Sequence, residues 1–362
     1  MSKRKTYLLL LSLLLLSCNE SGNKKEYIYF QEQGEIFHTG FHIKYAYSRS
    51  LREEIMAELE RFDKSLNPFR EDAIITKVNR NEPVEPDSFF LKVFQRSQEI
   101  ALKTGGKFDI TVSPLINAWG FGFANMERVT PEIIDSLKQF VGYDKIAIDA
   151  AGKVVKSDPR VTLNTSAIAK GYACDVVGDL LEQQGIAHYM VEIGGEITAR
   201  GVNDKGECWR IGVDKPIDDS SGMQHELQTI LSLCDKALAT SGNYRNYYIK
   251  EGKKYAHTID PQSGYPSQTD ILGATVIADD CMTADAYATA FMAMGIEESR
   301  QVAATVEGLH YLFIYETGEG SFGTVQSDGF EQFITNQSQD STRKKREQTK
   351  KAWEKIQATA RN

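Results

Sequence analysis

Lys236–Gln268 reads KALATSGNYRNYYIKEGKKYAHTIDPQSGYPSQ, and Met282–Gly295 reads MTADAYATAFMAMG. Between them lies a short strand-like segment, Ala274–Ile277. The first stretch combines an expected hydroxyl-rich turn (Thr240, Ser241, Gly242), an arginine (Arg245) and a His-x-x-Asp-Pro turn (His257, Asp260, Pro261). The second reads as a helix in which Asp285 and Thr289, four residues apart, share one face. The alanines and methionines around them imply a largely buried helix, and a buried carboxylate without a partner is costly. A carboxylate and a hydroxyl are hard oxygen donors of the kind Mg²⁺ takes, with water or phosphate oxygens completing its shell. Together with a histidine and an arginine they suggest phosphate-ester or pyrophosphate chemistry.

Outward from this segment, strands and helices interleave. Phe37–Tyr47 alternates and is rich in aromatics, as a strand does. Leu51, Ile55, Leu59 and Phe62 recur at helical spacing, which predicts an amphipathic helix across Ser50–Leu66. A second helix is expected over Asp87–Thr104, closed by Gly105-Gly106. Asp109–Phe123 (DITVSPLINAWGFGF) reads as irregular, wall-forming chain. Lys145–Ile148 and Val154–Lys156 resemble a hairpin, and Thr162–Gly185 runs from a turn into a helix. Strands are expected at His188–Ile193, ending on Gly194-Gly195, then at Ile197–Gly201, Trp209–Val213, Leu227–Leu233 and Tyr311–Tyr315, with a helix over Glu297–Val306. Regular βαβ alternation is missing, so an α+β domain with a mixed sheet is expected, not a doubly wound one.

The chain has 362 residues, 41% hydrophobic, enough for a sizeable core. A net charge of −8 argues against a nucleic-acid partner. Lys3, Arg4 and Lys5 precede an apolar run, Tyr7–Leu16, that is shorter than the ~20 residues of a membrane span and fits a secretory signal. It ends Leu15-Leu16-Ser17-Cys18, the pattern of a bacterial lipobox in which Cys18 carries the lipid. The expected organisation is therefore a signal peptide over 1–17, a tether over 18–26, a catalytic domain over 27–336 and a basic tail over 337–362, exported and held at a membrane. Cys174, Cys208, Cys234 and Cys281 lack metal or redox spacing, and buried free thiols are the default expectation.

Lys170 sits in AIAKGYA at an expected helix start, where backbone N–H groups attract anions; a surface lysine reads the same way. Gly194-Gly195 permits close backbone approach to a ligand, or is a plain bulge. Phe69, Phe108, Trp119 and Phe121 read as core before they read as a flavin platform. His38, His42, His188, His225 and His310 are treated as structural.

Five segments, in order, resemble the ApbE family of FAD:protein FMN transferases. They are GKFDITVSPLINAWGFG (Gly106–Gly122), NTSAIAKGYACD (Asn164–Asp175), MVEIGGEI (Met190–Ile197), ALATSGNYRNYY with HTIDPQSGYP (Ala237–Pro266), and TADAYATAF (Thr283–Phe291). The resemblance covers about Gly34 to Phe333 and implies a T-fold-like catalytic domain. Carried over by position, Asp285 and Thr289 resemble Mg²⁺ ligands, joined by a backbone oxygen near Ala167. The FAD pocket implied by the resemblance uses Phe37, Phe69, Lys107, Phe108, Asp109, Asn164 and Lys170, with backbone near Ile259. His257 matches the family histidine assigned to proton abstraction, and Arg245 with Thr240–Ser241 are phosphate neighbours. Asn164 stands where the family often has Asp, and Met282 where it sometimes has a further acid. The implied reaction moves FMN from FAD to a threonine of an acceptor protein and releases AMP. The implied acceptors carry Asp-x-x-Ser/Thr-Gly-Ala-Thr/Ser and belong to sodium-pumping NADH:quinone reductase or Rnf-type complexes. Hydrolysis of FAD to FMN and AMP, and a non-catalytic FAD-binding lipoprotein, are the alternatives.

Overall fold

A computed structural model describes residues 28–121, 129–215, 227–243, 247–250, 253–318 and 321–335. The signal segment with Cys18, the basic tail and Arg245 lie outside the described residues. The helices are α1 (Arg52–Leu66), α2 (Ile74–Asn79), α3 (Ser88–Lys103), α4 (Ser113–Ala118), α5 (Pro131–Lys138), α6 (Ala169–Gln183), α7 (Cys281–Met294) and α8 (Ile296–Ala303). The strands are β1 (Tyr29–Ile36), β2 (Thr39–Ala46), β3 (Ile146–Ile148), β4 (Val154–Lys156), β5 (Tyr189–Ile193), β6 (Glu196–Arg200), β7 (Trp209–Asp214), β8 (Leu227–Leu233), β9 (Lys236–Gly242), β10 (Tyr247–Lys250), β11 (Lys253–Ala256), β12 (Gly273–Ala278), β13 (His310–Gly318) and β14 (Ser321–Gln326).

Eight strands form one sheet in the order β1-β2-β5-β6-β9-β12-β13-β14. Every neighbouring pair in it is antiparallel. The class is α+β as expected; the mixture is of helices and strands, not of strand directions. Three of the seven pairs, β1-β2, β5-β6 and β13-β14, are joined by short connections, as antiparallel neighbours can be. Side chains alternate between the two faces. Ala237, Ala239, Ala274 and Val276 join the large core under α1, α3, α6 and α7. Leu238, Ile277, Ile197 and Leu312 point the other way, into a smaller core closed by the β7–β8 hairpin through Trp209, Ile211, Val213, Leu231 and Leu233. Strand β12 is buried at every position because it serves both cores.

Local signals place most boundaries. Asp87 caps α3 by accepting from the Phe90 amide at 2.9 Å, and Thr104 closes it. Two differences have physical causes. The chain expected to be strand from Phe37 begins one turn later, because Phe37 (φ 52°) and His38 (φ 59°) form the left-handed turn joining β1 to β2. The Thr240–Ser241–Gly242 segment is the end of β9, not a turn: Thr240 Oγ1 lies 3.0 Å from Thr275 Oγ1 of β12, and Ser241 Oγ 3.3 Å from Thr289 Oγ1 of α7. Within the stretch read as irregular, Ser113–Ala118 forms α4, started by Pro114 in its first turn.

The thiol expectation holds for Cys174 and Cys281, both buried and free, and fails for Cys208 and Cys234, which are disulfide-bonded. That bond closes a loop 26 residues apart in sequence and pins the base of the β7–β8 hairpin. A loop of that size constrains the unfolded chain by about 3 kcal/mol. The small second core has few residues to hold the hairpin otherwise, so the covalent link matters most there.

Candidate active site

One end of the sheet, where β2 starts, β5 turns into β6 and β9 stops, borders a cavity of about 880 Å³. The β5–β6 turn is Gly194-Gly195, with φ of 65° and 101°. A Cβ on Gly194 would sit 3.0 Å from Thr39 Cγ2 and 3.3 Å from Lys170 Cδ, so the turn needs glycine both for its backbone and for its space. Gly195 N–H donates to Glu192 Oε1 at 2.7 Å, and Glu192 Oε2 pairs with His42 Nδ1 at 2.9 Å. His42, expected to be structural, therefore stands on the cavity rim.

The polar floor is made where α6 meets α7. Gly171 lets the helices close together: a Cβ there would lie 2.2 Å from the Cys281 carbonyl oxygen and 2.7 Å from Asp285 Cβ. Each helix places a carboxylate on the other's first turn. Asp175 of α6 accepts from the Cys281 and Met282 amides at 2.9 and 2.8 Å and from the Thr198 hydroxyl at 2.7 Å. Asp285 of α7 accepts from the Gly171 amide at 3.0 Å. Helix N-termini stabilise negative charge, which explains how both acids tolerate burial. Burial still dominates Asp175, whose pKa is pushed up to about 7. Burial likewise raises Asp285, against the opposing charge of Lys170 and the Gly171 amide.

Helix α7 is buried at every position except Thr289. Thr289 faces the cavity, and its Oγ1 lies 3.3 Å from Ser241 Oγ. Lys170 is no surface lysine: its Nζ donates to Oε1 of Glu196, a side chain only 6% exposed. Burial works against the Lys170 ammonium, but Asp285 and Glu196 outweigh it and hold the group charged. Glu196 is raised mainly by burial, with Lys170 opposing; its Oε2 is buried with no partner, and the residue borders the cavity. Sequence reasoning missed Glu196. It lies in the MVEIGGEI segment, and its one signal was a glutamate immediately after Gly-Gly.

On the opposite wall, Lys107 Nζ contacts Asp260 Oδ2 at 3.1 Å, tying the chain before α4 to the His-x-x-Asp-Pro turn. That turn is closed by Gly264 N–H to Asp260 O at 2.8 Å, and Trp119 Nε1 reaches Gly264 O at 2.8 Å. His257 is half-buried beside Phe121, with ring centres 6.5 Å apart. Phe108 is core, whereas Phe69 is 61% exposed over the cavity mouth. Asn164 Oδ1 accepts from Ser166 N at 2.9 Å, which shapes the turn leading into α6. Phe69, Lys107, Phe108, Asp109, Asn164, Ala167, Lys170, His257, Ile259, Asp285 and Thr289 all line this one cavity. Phe37 is not among the lining residues; it packs on Phe62 at 5.6 Å.

Asp109 is held by Thr111 through its amide at 2.8 Å and hydroxyl at 2.7 Å, yet burial pushes its pKa up to about 6. An acid raised on folding contributes stability below its unfolded pKa, near 4, and loses it as pH rises through its folded value. Raising pH from 4 to 7 therefore costs wild type about 2 kcal/mol at this residue. Asp109→Asn keeps the Thr111 contacts and should flatten the urea-denaturation stability profile by that amount. An unchanged slope would contradict the burial argument.

A cavity that brings an acid, a histidine and a fixed lysine together at the end of an antiparallel sheet has the make-up of an enzyme site. The ApbE family model matches residues 37–313, and the chain belongs to the ApbE family. It is 36% identical to the FAD:protein FMN transferase of Vibrio cholerae serotype O1, over 90% of this chain and 98% of that protein. It is 33% identical to the Escherichia coli K12 protein of the same name, over 80% of this chain and 83% of that one. Among solved structures, the flavin transferase ApbE from Vibrio cholerae aligns with a TM-score of 0.75 at 33% identity, covering 85% of this chain and 99% of that chain. The apo flavinyl transferase ApbE of Pseudomonas stutzeri aligns with a TM-score of 0.76 at 29% identity, covering 85% and 97%.

Proposed function

We propose that this chain transfers FMN from FAD to a threonine hydroxyl of an acceptor protein, in a Mg²⁺-dependent reaction that releases AMP. One observation carries the reading: His257, Lys170, Asp285 and Thr289, from separate parts of the chain, line one cavity in a member of a flavin-transferase family. Its volume, about 880 Å³, lies near the upper end of small-molecule sites, as a dinucleotide needs.

The donor set fits magnesium. Among the described residues, no three His, Cys, Asp or Glu side chains group as ligands. The available corner is instead a single carboxylate (Asp285), a hydroxyl (Thr289) and backbone oxygen near Ala167, the sparse oxygen set Mg²⁺ accepts when phosphates complete its shell. Bound there, Mg²⁺ supplies charge stabilisation to the pyrophosphate oxygens and the departing AMP. Lys170, fixed by Glu196, adds positive charge beside the same phosphates. His257 takes the proton from the acceptor threonine as its oxygen bonds to the FMN-side phosphorus and the bond to AMP breaks. Asn164, in the cavity lining where the family often has an acid, leaves less negative charge around the phosphates, whereas Met282 is buried outside that lining.

The acceptors follow the Asp-x-x-Ser/Thr-Gly-Ala-Thr/Ser pattern, in subunits of sodium-pumping NADH:quinone reductase or Rnf-type complexes. Export and lipidation at Cys18 put the enzyme on the membrane face where those subunits are modified. The test uses the mature chain, FAD, Mg²⁺ and a threonine-pattern acceptor, read by in-gel flavin fluorescence and free AMP. Fluorescent acceptor with AMP is the expected result; AMP and FMN without labelled protein means hydrolysis, and intact FAD means binding alone. His257→Ala should slow labelling about 10²- to 10⁴-fold, the usual share of a general base. FAD binding should survive; labelling at the wild-type rate would remove His257 from the chemistry.

A further inference from the structure

Strand β9 runs on past the end of one of its neighbours. It pairs with β12 from Ala237 to Gly242, opposite Ala278 to Gly273. With β6 it pairs only from Lys236 to Leu238, opposite Ala199 to Ile197. Beyond that point the chain leaves the ladder through the Gly194-Gly195 turn, which leads back into β5. Thr240, Ser241 and Gly242 are half-buried and line the cavity, with no strand on their β6 side among the described residues.

The ladder also fixes which way the backbone groups point. In an antiparallel sheet the N–H and C=O of one residue turn to one neighbouring strand and those of the next residue to the other. Asn243 N–H donates to Leu272 O at 3.0 Å, on the β12 side. Ser241 faces β12 likewise, so Thr240 and Gly242 face the other way, as Leu238 and Lys236 do toward Ile197 and Ala199. Their two N–H and two C=O groups therefore look past the end of β6, and among the described residues nothing is bonded to them there. The turn leaves room beside it: a Cβ built on Gly195 would meet nothing within 4 Å. Because β12 holds the other edge of β9, these groups are pre-ordered, which lowers the entropy cost of pairing with them.

We propose that the end of β9 is the docking site of the acceptor polypeptide, which pairs with Thr240 and Gly242 as an extended strand and so carries its threonine into the cavity. The proposal rests on the transferase reading above. Donors and acceptors alternating along one line are what a strand offers to another strand, and main-chain pairing of this kind accepts different acceptor sequences. The place suits the second substrate and not the first, since none of the FAD residues implied by the resemblance lies on β9. Ser241 Oγ is 3.3 Å from Thr289 Oγ1, so a chain docked on this strand end passes beside the corner assigned to Mg²⁺ in that reading. His257 borders the same cavity, where the incoming hydroxyl has to meet its base.

The experiment is residue-resolved hydrogen exchange by mass spectrometry on the full chain with FAD, Mg²⁺ and a synthetic threonine-pattern peptide. Its reactive threonine is replaced by valine, so that it docks without being consumed. Added peptide should slow exchange of the Thr240 and Gly242 amides by at least about tenfold and leave Ser241, already turned to β12, unchanged. The reactive peptide, N-methylated at alternate residues in two registers, gives a second reading. One register should lose flavin labelling by about tenfold and the other keep it, with FAD binding the same for both. Labelling of the plain peptide with no protection at Thr240 and Gly242, or equal labelling in the two registers, overturns the docking site while sparing the transferase reading. If no peptide is labelled, a whole acceptor protein carrying the pattern replaces it in the same exchange run and is judged by the same two amides. Failure to label that protein as well overturns both readings.

Discussion

Replacing Asp285 by Asn should lower FMN transfer by about three orders of magnitude, roughly 4 kcal/mol of barrier, while leaving the protein folded. The substitution keeps the shape and an oxygen able to accept from the Gly171 amide, now 3.0 Å away. It removes the negative charge that the proposed Mg²⁺ would need at this corner and that faces Lys170. Stability should change little, because the ionised carboxylate is already penalised by burial and Glu196 still pairs with Lys170. Asp285→Ala has a second effect: it strands the Gly171 N–H, costing about 1–3 kcal/mol in addition. The pair of variants therefore separates charge from architecture. Transfer is read by in-gel fluorescence and AMP release, stability by urea midpoint. Wild-type transfer in Asp285→Asn would refute the metal assignment outright.

The parts of this protein that were legible in the sequence are those written in local pattern. Asp87 before the Phe89–Phe90 pair marked the start of α3, and Gly194-Gly195 marked a strand end. The spacing of Asp285 and Thr289 placed two oxygen donors on a common helix face, and both line the cavity. Strands β1 and β14 were missed because they lie at the sheet edges, where half of the residues are exposed and the apolar alternation of a buried face is lost. The Cys208–Cys234 pairing was hidden because it depends on β7 and β8 being neighbours. Glu196 and His42 were missed for a related reason. Each acquires its meaning only across strands or between strand and helix: Glu196 from Lys170, 26 residues away in sequence, and His42 from Glu192, 150 residues away. Asp175 stood inside a quoted motif without a role, and its task is likewise tertiary. It ties the first turn of α7, and hence Asp285, to α6.

That tie makes Gly171→Ala the substitution expected to cost most stability. Two effects oppose each other. Within a helix, alanine is preferred over glycine by about 1 kcal/mol, so an exposed Gly171 would gain from the change. This glycine is buried at the α6–α7 crossing, where the new Cβ would come within 2.2 Å of the Cys281 carbonyl oxygen and 2.7 Å of its carbonyl carbon. Both are backbone atoms, so no rotamer change relieves the overlap. The helices have to move apart by about 1 Å in a close-packed interior, and overpacking of that kind costs about 3 kcal/mol or more. Separation also lengthens the Asp285–Gly171 and Asp175–Met282 hydrogen bonds, each of which satisfies a buried group. The steric term therefore outweighs propensity, and the urea midpoint should fall by an amount equal to at least about 2 kcal/mol. Transfer should fall as well, because Asp285 rides on the helix that is displaced. A rise in the midpoint would mean that propensity wins and that α6 and α7 do not meet as closely as 2.2 Å implies.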